Sequence, residues 1–156
     1  MVTFVRISDG GDIVETIEFD PVGRFHPSLQ WWPINTVEEK KAALTHMVRT
    51  KRRALENGGM ALADGTRVQT DAGSQSKIAG GVQLFQNDAT LTHIDFEAQP
   101  GVWVTLDAAT MTSIGIAVGR HVQSCFSRSR VLQEAISAAT SHSELDAIDV
   151  HLGWPE

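Results

Sequence analysis

The chain begins with hydrophobic and polar residues in alternation, which is the pattern of half-buried β-strands. Residues 2–7 show the alternation first, residues 13–19 resume it, and residues 9–12 between them read Asp-Gly-Gly-Asp. Glycine and aspartate favour tight turns because they tolerate the backbone angles that a chain reversal needs. The pattern therefore predicts a β-hairpin at the start of the chain.

A segment rich in prolines and aromatic residues follows the hairpin. Residues 24–33 contain two prolines together with Phe25, Trp31 and Trp32. Proline has no backbone N–H to donate, so closely spaced prolines disfavour regular structure. We expect an extended connector here whose aromatic rings pack on another surface. Residues 1–35 are thus predicted to form an arm made of a hairpin and a connector.

Helical spacing begins after this arm. Thr36 with Glu39 three positions later forms the signature of a capping box, and hydrophobic residues then recur at helical spacing until the glycines at 58–59. Further helices are predicted to begin at Ser74, Asp107 and Ser141. The helix after Asp107 is the longest, and we expect residues 127–129 to break or bend it.

Two more hairpins complete the pattern. Residues 60–69 contain Asp64 followed by Gly65, the strongest short hairpin signal in the chain, and residues 92–106 contain a Gln-Pro-Gly turn. The order of elements is hairpin, connector, helix, hairpin, helix, hairpin and helices. This order predicts an α+β fold, with a globular domain at residues 36–156.

Composition narrows the class of protein. The chain has 156 residues, of which 42% are hydrophobic and 21% charged, as in a soluble globular domain, and its apolar runs are far shorter than a membrane span of about 20 residues. Thirteen basic against nineteen acidic residues give a net charge of −6, which argues against nucleic acid as a partner. The single cysteine, Cys125, excludes an internal disulfide. The first residues lack the order of a secretory signal, so we expect the chain to stay in the cell that makes it.

Few residues suggest bond-making chemistry. His121 and Cys125 lie four positions apart on a predicted helix, but two ligands do not make a metal site, and a half-buried histidine beside a buried thiol is the simpler interpretation. The C-terminal end of a helix also opposes a reactive thiolate. The glycine pairs at 58–59 and 80–81 lack a nucleotide-binding fingerprint. We therefore expect no metal, no cofactor and no enzymatic activity.

Basic residues are concentrated in one predicted helix. Six of them fall within residues 40–53, whereas every charged residue after Arg130 is acidic. The commoner interpretation of such a run is a solvated helix face whose charge complements the helix dipole. The alternative is a contact with an acidic partner, such as the acidic C-terminal part of a neighbouring copy. We take Arg49, Arg52 and Arg53 as candidate contact residues.

The adjacent tryptophans are harder to explain within one small core. Neighbouring side chains of an extended segment face opposite ways, so Trp31 and Trp32 cannot both enter the same core. We expect one of them to meet another surface, because tryptophan often dominates the energy of protein contacts. With Phe25, the tryptophans complete the predicted partner-contact residues.

An ordered series of motifs runs through the second part of the chain. The motifs are Gly58-Gly59-Met60, Asp64-Gly65, Thr70-Asp71, residues 74–77, residues 101–107, residues 121–126 and Gly153-Trp154-Pro155. This series resembles a domain of unknown function found in tailed bacteriophages and prophages, whose genes generally lie near those for tail fibres and baseplates. The resemblance covers residues 36–156, implies a virion or tail-assembly protein and implies no catalytic residue. Within it, we expect Trp103 and Trp154 to anchor the core.

These observations predict a non-enzymatic structural protein of a phage tail tip, baseplate or fibre attachment site, made in the host bacterial cytoplasm and located in the tail of the virion. Its partners would be other tail, baseplate or fibre subunits, in a homo-oligomer for which a trimer is favoured by analogy with tail fibres. The alternative is a tail-fibre assembly chaperone. A third hypothesis, from a different class, is a hydrolase that acts on a host surface polymer.

Overall fold

A computed structural model of the chain describes residues 1–19 and 31–156. Its elements, in chain order, are β1 (Val2–Ile7), β2 (Ile13–Phe19), β3 (Trp31–Pro33), α1 (Val37–Asn57), β4 (Met60–Ala61), β5 (Arg67–Val68), α2 (Ala72–Asn87), β6 (Ile94–Gln99), β7 (Val102–Leu106), α3 (Ala108–Ala138) and α4 (His142–Asp146). The strands of this part of the chain form antiparallel sheets in the orders β2-β1-β3, β4-β5 and β6-β7. This is the α+β fold that the sequence predicts. The predicted contact residue Phe25 lies outside the described residues.

The predicted hairpins are present, and each turn contains a glycine with a left-handed backbone. Gly11, Gly65 and Gly101 have φ values of 82°, 85° and 77°. A side chain at such a position would strain the backbone, which explains why glycine stands there. Turn chemistry therefore fixes where β1 and β2, β4 and β5, and β6 and β7 reverse direction.

Three helices begin at the capping residues that the sequence predicts. At the start of α1, the backbone N–H of Glu39 donates to Thr36 Oγ1 at 3.2 Å, and Glu39 Oε2 accepts from the backbone N–H of Thr36 at 3.0 Å. Asp107 caps α3 and Ser141 caps α4 through their side-chain oxygens, at 2.8 and 3.2 Å from first-turn N–H groups. These side chains satisfy N–H groups that have no partner inside the helix.

Two helices differ from the prediction. Helix α2 begins at Ala72, two residues before the start predicted near Ser74, and its cap is Asp71, whose Oδ1 accepts the backbone N–H of Ser74 at 3.0 Å. The expected break in α3 at residues 127–129 is wrong, since the helix is continuous there. Ser129 is buried, and its hydroxyl accepts from Gln133 Nε2 one turn further on at 2.9 Å.

The end of the connector is also more regular than expected. Trp31–Pro33 forms a strand that pairs with β1, with Pro33 opposite Phe4 and Trp31 opposite Arg6. The prediction of irregular structure is wrong for these three residues. Because β3 lies at the edge of its sheet, the missing N–H of Pro33 costs little there.

The described part of the chain divides into two compact units. The first contains Met1–Ala54 and Phe126–Trp154, and the second contains Leu55–Cys125 with Pro155–Glu156. The first two of the three boundaries fall inside long helices, α1 and α3, and the third lies between Trp154 and Pro155. The domain boundary predicted between residues 35 and 36 lies within the first unit, and the role of residues 1–35 as a docking arm stays a prediction.

The first unit has a core built by β1, α1, the end of α3, and α4. Its buried residues are Val5, Ile7, Ala43, Met47, Val48, Leu132, Ile136, Ala139, Leu145 and Val150. Trp154 packs against this core and donates its indole N–H to the carbonyl oxygen of Val150 at 2.8 Å. Burial of apolar side chains from strands and helices together stabilises this unit.

The second unit has its own core between its hairpins, α2 and the first part of α3. Its buried residues are Val68, Ile78, Leu106, Met111, Ile114 and Val118. The expectation that Trp103 anchors this core is wrong, because 67% of its surface is exposed. Trp103 lies opposite Glu97, and side chains alternate between the two faces of a strand, so Trp103 shares the solvent face with that carboxylate.

Candidate partner-binding surface

Trp32 and His46 form the centre of the surface on which the predicted contact residues lie. The indole of Trp32, on β3, stacks on the imidazole of His46, on α1, with ring centroids 4.5 Å apart and planes inclined by 23°. Trp32 is half-buried and packs against the core of the first unit. Its indole N–H is buried and has no hydrogen-bond acceptor among the described residues. The pair thus places a polar donor at the border between core and surface.

A groove of about 520 Å³ adjoins this pair. The residues that line this Trp32 groove are Trp32, Glu38, Lys41, Ala42, Thr45, His46, Arg49, Gln133, Ile136 and Ser137. Arg49 is exposed and donates its Nε–H to Gln133 Oε1 at 3.2 Å. This bond to a neutral amide holds the guanidinium at the groove and leaves its charge uncompensated there.

Arg53 lies in an adjoining groove on the other side of His46. This second groove encloses about 470 Å³ and is lined by residues of β1, of the turn after it, and of α1, His46 and Arg53 among them. Burial lowers the pKa of His46, and the positive charges of Arg53 and Arg49 lower this pKa further. The imidazole therefore stays neutral at neutral pH.

Arg52 covers an aromatic ring nearby. Its guanidinium carbon lies 4.4 Å above the ring centroid of Phe126, which is the geometry of a cation–π contact. Arg52 and Phe126 line a third groove, which shares Gln133 and Ser137 with the Trp32 groove. The Trp32 groove therefore borders each of the other two grooves on the first unit.

The lysines of the basic run are compensated by neighbouring carboxylates. Lys40 bonds to Asp146, Lys41 lies 3.5 Å from a carboxylate oxygen of Glu38, and Lys51 lies 3.9 Å from Asp12. Arg49, in contrast, forms no ion pair with another described residue. The run is therefore not uniformly solvated, and Arg49 differs from the lysines.

The structure brings together most of the residues singled out from the sequence. Trp32, Arg49, Arg52 and Arg53 line three bordering grooves, whereas Trp31 lines none of them and its side chain lies on the opposite face of β3. Sequence reasoning missed His46 and Gln133. His46 contacts Trp32 and Gln133 contacts Arg49, and both contacts join different elements of the fold. The local sequence pattern does not predict such contacts.

The His121 and Cys125 pair occupies the interior of the second unit. Cys125 Sγ lies 3.9 Å from His121 Nε2, and the same nitrogen lies 3.1 Å from the carbonyl oxygen of Leu55. A carbonyl can only accept, so Nε2 carries the hydrogen and cannot bind a metal in this arrangement. Among the described residues, no three His, Cys, Asp or Glu side chains are grouped as metal ligands. No helix in the described ranges is both long and apolar enough to cross a membrane.

Comparison with known families identifies the family to which the chain belongs. The sequence profile described as "Domain of unknown function (DUF4376)" matches residues 39–150. The chain belongs to the DUF4376 family. The DUF4376 match begins inside α1 and ends after α4, so it includes Arg49, Arg52 and Arg53 but not β1, β2, β3 or Trp32. No curated protein and no solved structure matches the chain.

Proposed function

We propose that the chain is a non-enzymatic structural component of a bacteriophage tail, at the tail tip, the baseplate or the site of fibre attachment, and that it binds a neighbouring subunit through the Trp32 groove. The observation that carries this proposal is the position of Trp32, whose ring forms a wall of a groove that the exposed Arg49 also lines. Tryptophan and arginine are also the residues that most often dominate protein contacts.

The charges of the groove indicate the chemistry of the partner. Arg49 has a neutral amide for its neighbour, and the positive charges of Arg53 and Arg49 lower the pKa of His46. A partner that offers carboxylates or backbone carbonyls would compensate these guanidinium groups, since planar donors pair well with such oxygens. We therefore assign the groove to an acidic segment of another tail subunit. The placement in a phage tail comes from the resemblance of the motif series.

The groove alone is too small for a lasting assembly contact. Stable interfaces bury on the order of 1,200–2,000 Å² in total, so the surface around the groove must take part. The two bordering grooves extend the available area. In a homotrimer, the form favoured by analogy with tail fibres, each copy would present this surface once.

Charge reversal at Arg49 tests the proposal in assembled particles. Phage particles are produced with the wild-type chain or with Arg49→Glu, and the amount of chain per particle is measured by quantitative mass spectrometry. Arg49 is exposed, so the variant should fold with an unchanged melting temperature, yet incorporation should fall by about 10-fold or more. Arg120→Glu is the matched control, because Arg120 is an exposed arginine on α3 that lies outside the three grooves.

The same particles separate the structural role from the chaperone alternative. A fixed, stoichiometric number of wild-type copies per particle supports the structural role. Loss of particle assembly in a deletion strain, combined with no copies in wild-type particles, would instead identify an assembly chaperone. Equal incorporation of Arg49→Glu and wild-type chains would remove the Trp32 groove from the contact.

A further inference from the structure

Trp103 exposes 67% of its surface, although tryptophan is on average a highly buried residue. It lies on β7 opposite Glu97 of β6, and the next pair on the same face is Asp95 and Thr105. The hairpin therefore presents a flat aromatic ring to solvent beside two carboxylates. The two strands hold the indole in place, and nothing among the described residues covers it.

A groove of about 390 Å³ adjoins the exposed indole, within the size range of small-molecule sites. Its polar walls come from three elements of the second unit. The residues of this Trp103 groove on which the argument depends are Gln69, Lys77, Asp95, Glu97, Gln99 and Trp103. The combination of an aromatic platform and planar polar side chains differs from the positively charged surface of the first unit.

The polar groups of the groove have hydrogen-bonding capacity to spare. The amide of Gln69 and the ammonium of Lys77 make no hydrogen bond or ion pair with other described residues. Asp95 Oδ1 accepts from Thr105 Oγ1 at 3.0 Å, and Glu97 Oε1 accepts from the backbone N–H of Gly101 at 2.8 Å. Each carboxylate is thus oriented through one oxygen, and its second oxygen can accept from a ligand.

We propose that the Trp103 groove binds a neutral saccharide. A sugar ring has an apolar C–H face that can lie on the indole, and hydroxyl groups around its edge that both donate and accept hydrogen bonds. The amide, ammonium and carboxylates of the groove supply both kinds of partner. Two carboxylates against one cation disfavour phosphates and acidic sugars. The proposal rests on the second unit alone and is independent of the proposed function.

Titration of the full chain with neutral disaccharides tests the site. Maltose, cellobiose and diacetylchitobiose are added in turn to ¹⁵N-labelled protein, and the indole N–H signal of Trp103, assigned with Trp103→Phe, is followed by NMR. We expect a saturable shift with at least one of the three. Trp103→Ala should weaken binding by about 10-fold or more, whereas Val102→Ala, at an exposed neighbour, should bind as the wild type does.

Several results would overturn the proposal. The proposal is wrong if none of the three sugars causes a saturable shift up to its solubility limit. It is also wrong if Trp103→Ala and the wild type bind the sugars equally. If Trp103→Ala instead abolishes self-association or incorporation into particles while no sugar binds, the face is a protein contact. Because Trp103 is largely exposed, we expect Trp103→Ala to stay folded. If Trp103→Ala does not fold, Trp103→Phe is used in its place, and this variant should keep partial binding because it retains an aromatic platform.

Discussion

The indole of Trp32 lies against the imidazole of His46, with ring centroids 4.5 Å apart. This contact joins the edge strand β3 to the middle of α1 within the first unit. It also connects the predicted contact residues with one titratable group, since Arg53 and Arg49 both act on the pKa of His46. We therefore expect the surface that we assign to partner binding to respond to pH.

The first prediction concerns stability as a function of pH. The pKa of His46 is lowered in the folded state from its ordinary value of 6.5, so the unfolded chain binds this proton more readily. The stability contributed by His46 is thus fully present above pH 6.5 and is lost as the pH falls through the folded-state pKa. Melting temperatures of wild type and His46→Phe, which keeps an aromatic ring but does not titrate, measure the effect. We expect a smaller acid-induced decrease in the variant, and equal decreases would contradict the assignment.

The second prediction concerns the pKa of His46 itself. Removal of either nearby positive charge, in Arg53→Gln or Arg49→Gln, should raise this pKa toward the ordinary value, because repulsion of the protonated ring decreases. NMR titration of the imidazole signals measures the change. Arg120→Gln serves as control and should leave the pKa where it is. An unchanged pKa in all three variants would show that the arginine charges are screened from the ring.

The third prediction compares two glycines with left-handed backbones. In Gly11→Ala the new Cβ would lie 2.5 Å from the carbonyl oxygen of Met47 and 2.9 Å from the backbone nitrogen of Lys51, whereas in Gly65→Ala it meets nothing within 4 Å. Both variants incur about 1–2 kcal/mol of backbone strain. Gly11→Ala adds about 1–3 kcal/mol from overpacking against the rigid backbone of α1. Urea unfolding should show this difference, and equal losses would mean that the first turn can move away from α1.

The fourth prediction compares adjacent glycines on α2. Gly80 has open space around it, so Gly80→Ala should stabilise the protein by about 0.5–1 kcal/mol through helix propensity. A Cβ at Gly81 would lie 2.7 Å from Met111 Cε and 3.1 Å from Ile94 Cδ1, and Met111 is completely buried. Gly81→Ala should therefore be less stable than Gly80→Ala by about 1–3 kcal/mol in urea unfolding. A gain in both variants would show that the side chain of Met111 yields without cost.

Local chemistry explains which elements could be predicted from the sequence. The capping box at Thr36 and the turn glycines act within a few residues, so their signals are complete in the sequence. The start of α2 was predicted near Ser74, two residues too late, because its hydrophobic spacing begins only at Ile78, whereas the bond from the Ser74 N–H to Asp71 marks the cap. Strand β3 escaped prediction because its pairing with β1 is a long-range contact that tolerates Pro33 at a sheet edge.

The candidate site could be predicted only in part for the same reason. Composition and spacing indicate Trp32 and Arg49 as unusual residues, but their meeting at one groove depends on the packing of α1 beside α3 in the first unit. The exposure of Trp103 follows from the pairing of its strand, which places it opposite Glu97. Hydrophobicity alone favoured burial for this residue, and the register of the hairpin reversed that expectation.

The division of the chain has a consequence for its synthesis. The second unit is nearly continuous in sequence, so contacts within residues 55–125 can form while later codons are still being read. The first unit needs residues 1–54 together with 126–154 and cannot close until the latter leave the ribosome. During that interval Val5, Ile7 and Met47 lack the partners that α3 supplies. The nascent polypeptide therefore passes through a stage at which residues 1–54 have been made but their core is incomplete, and such open segments are exposed to chaperones and proteases.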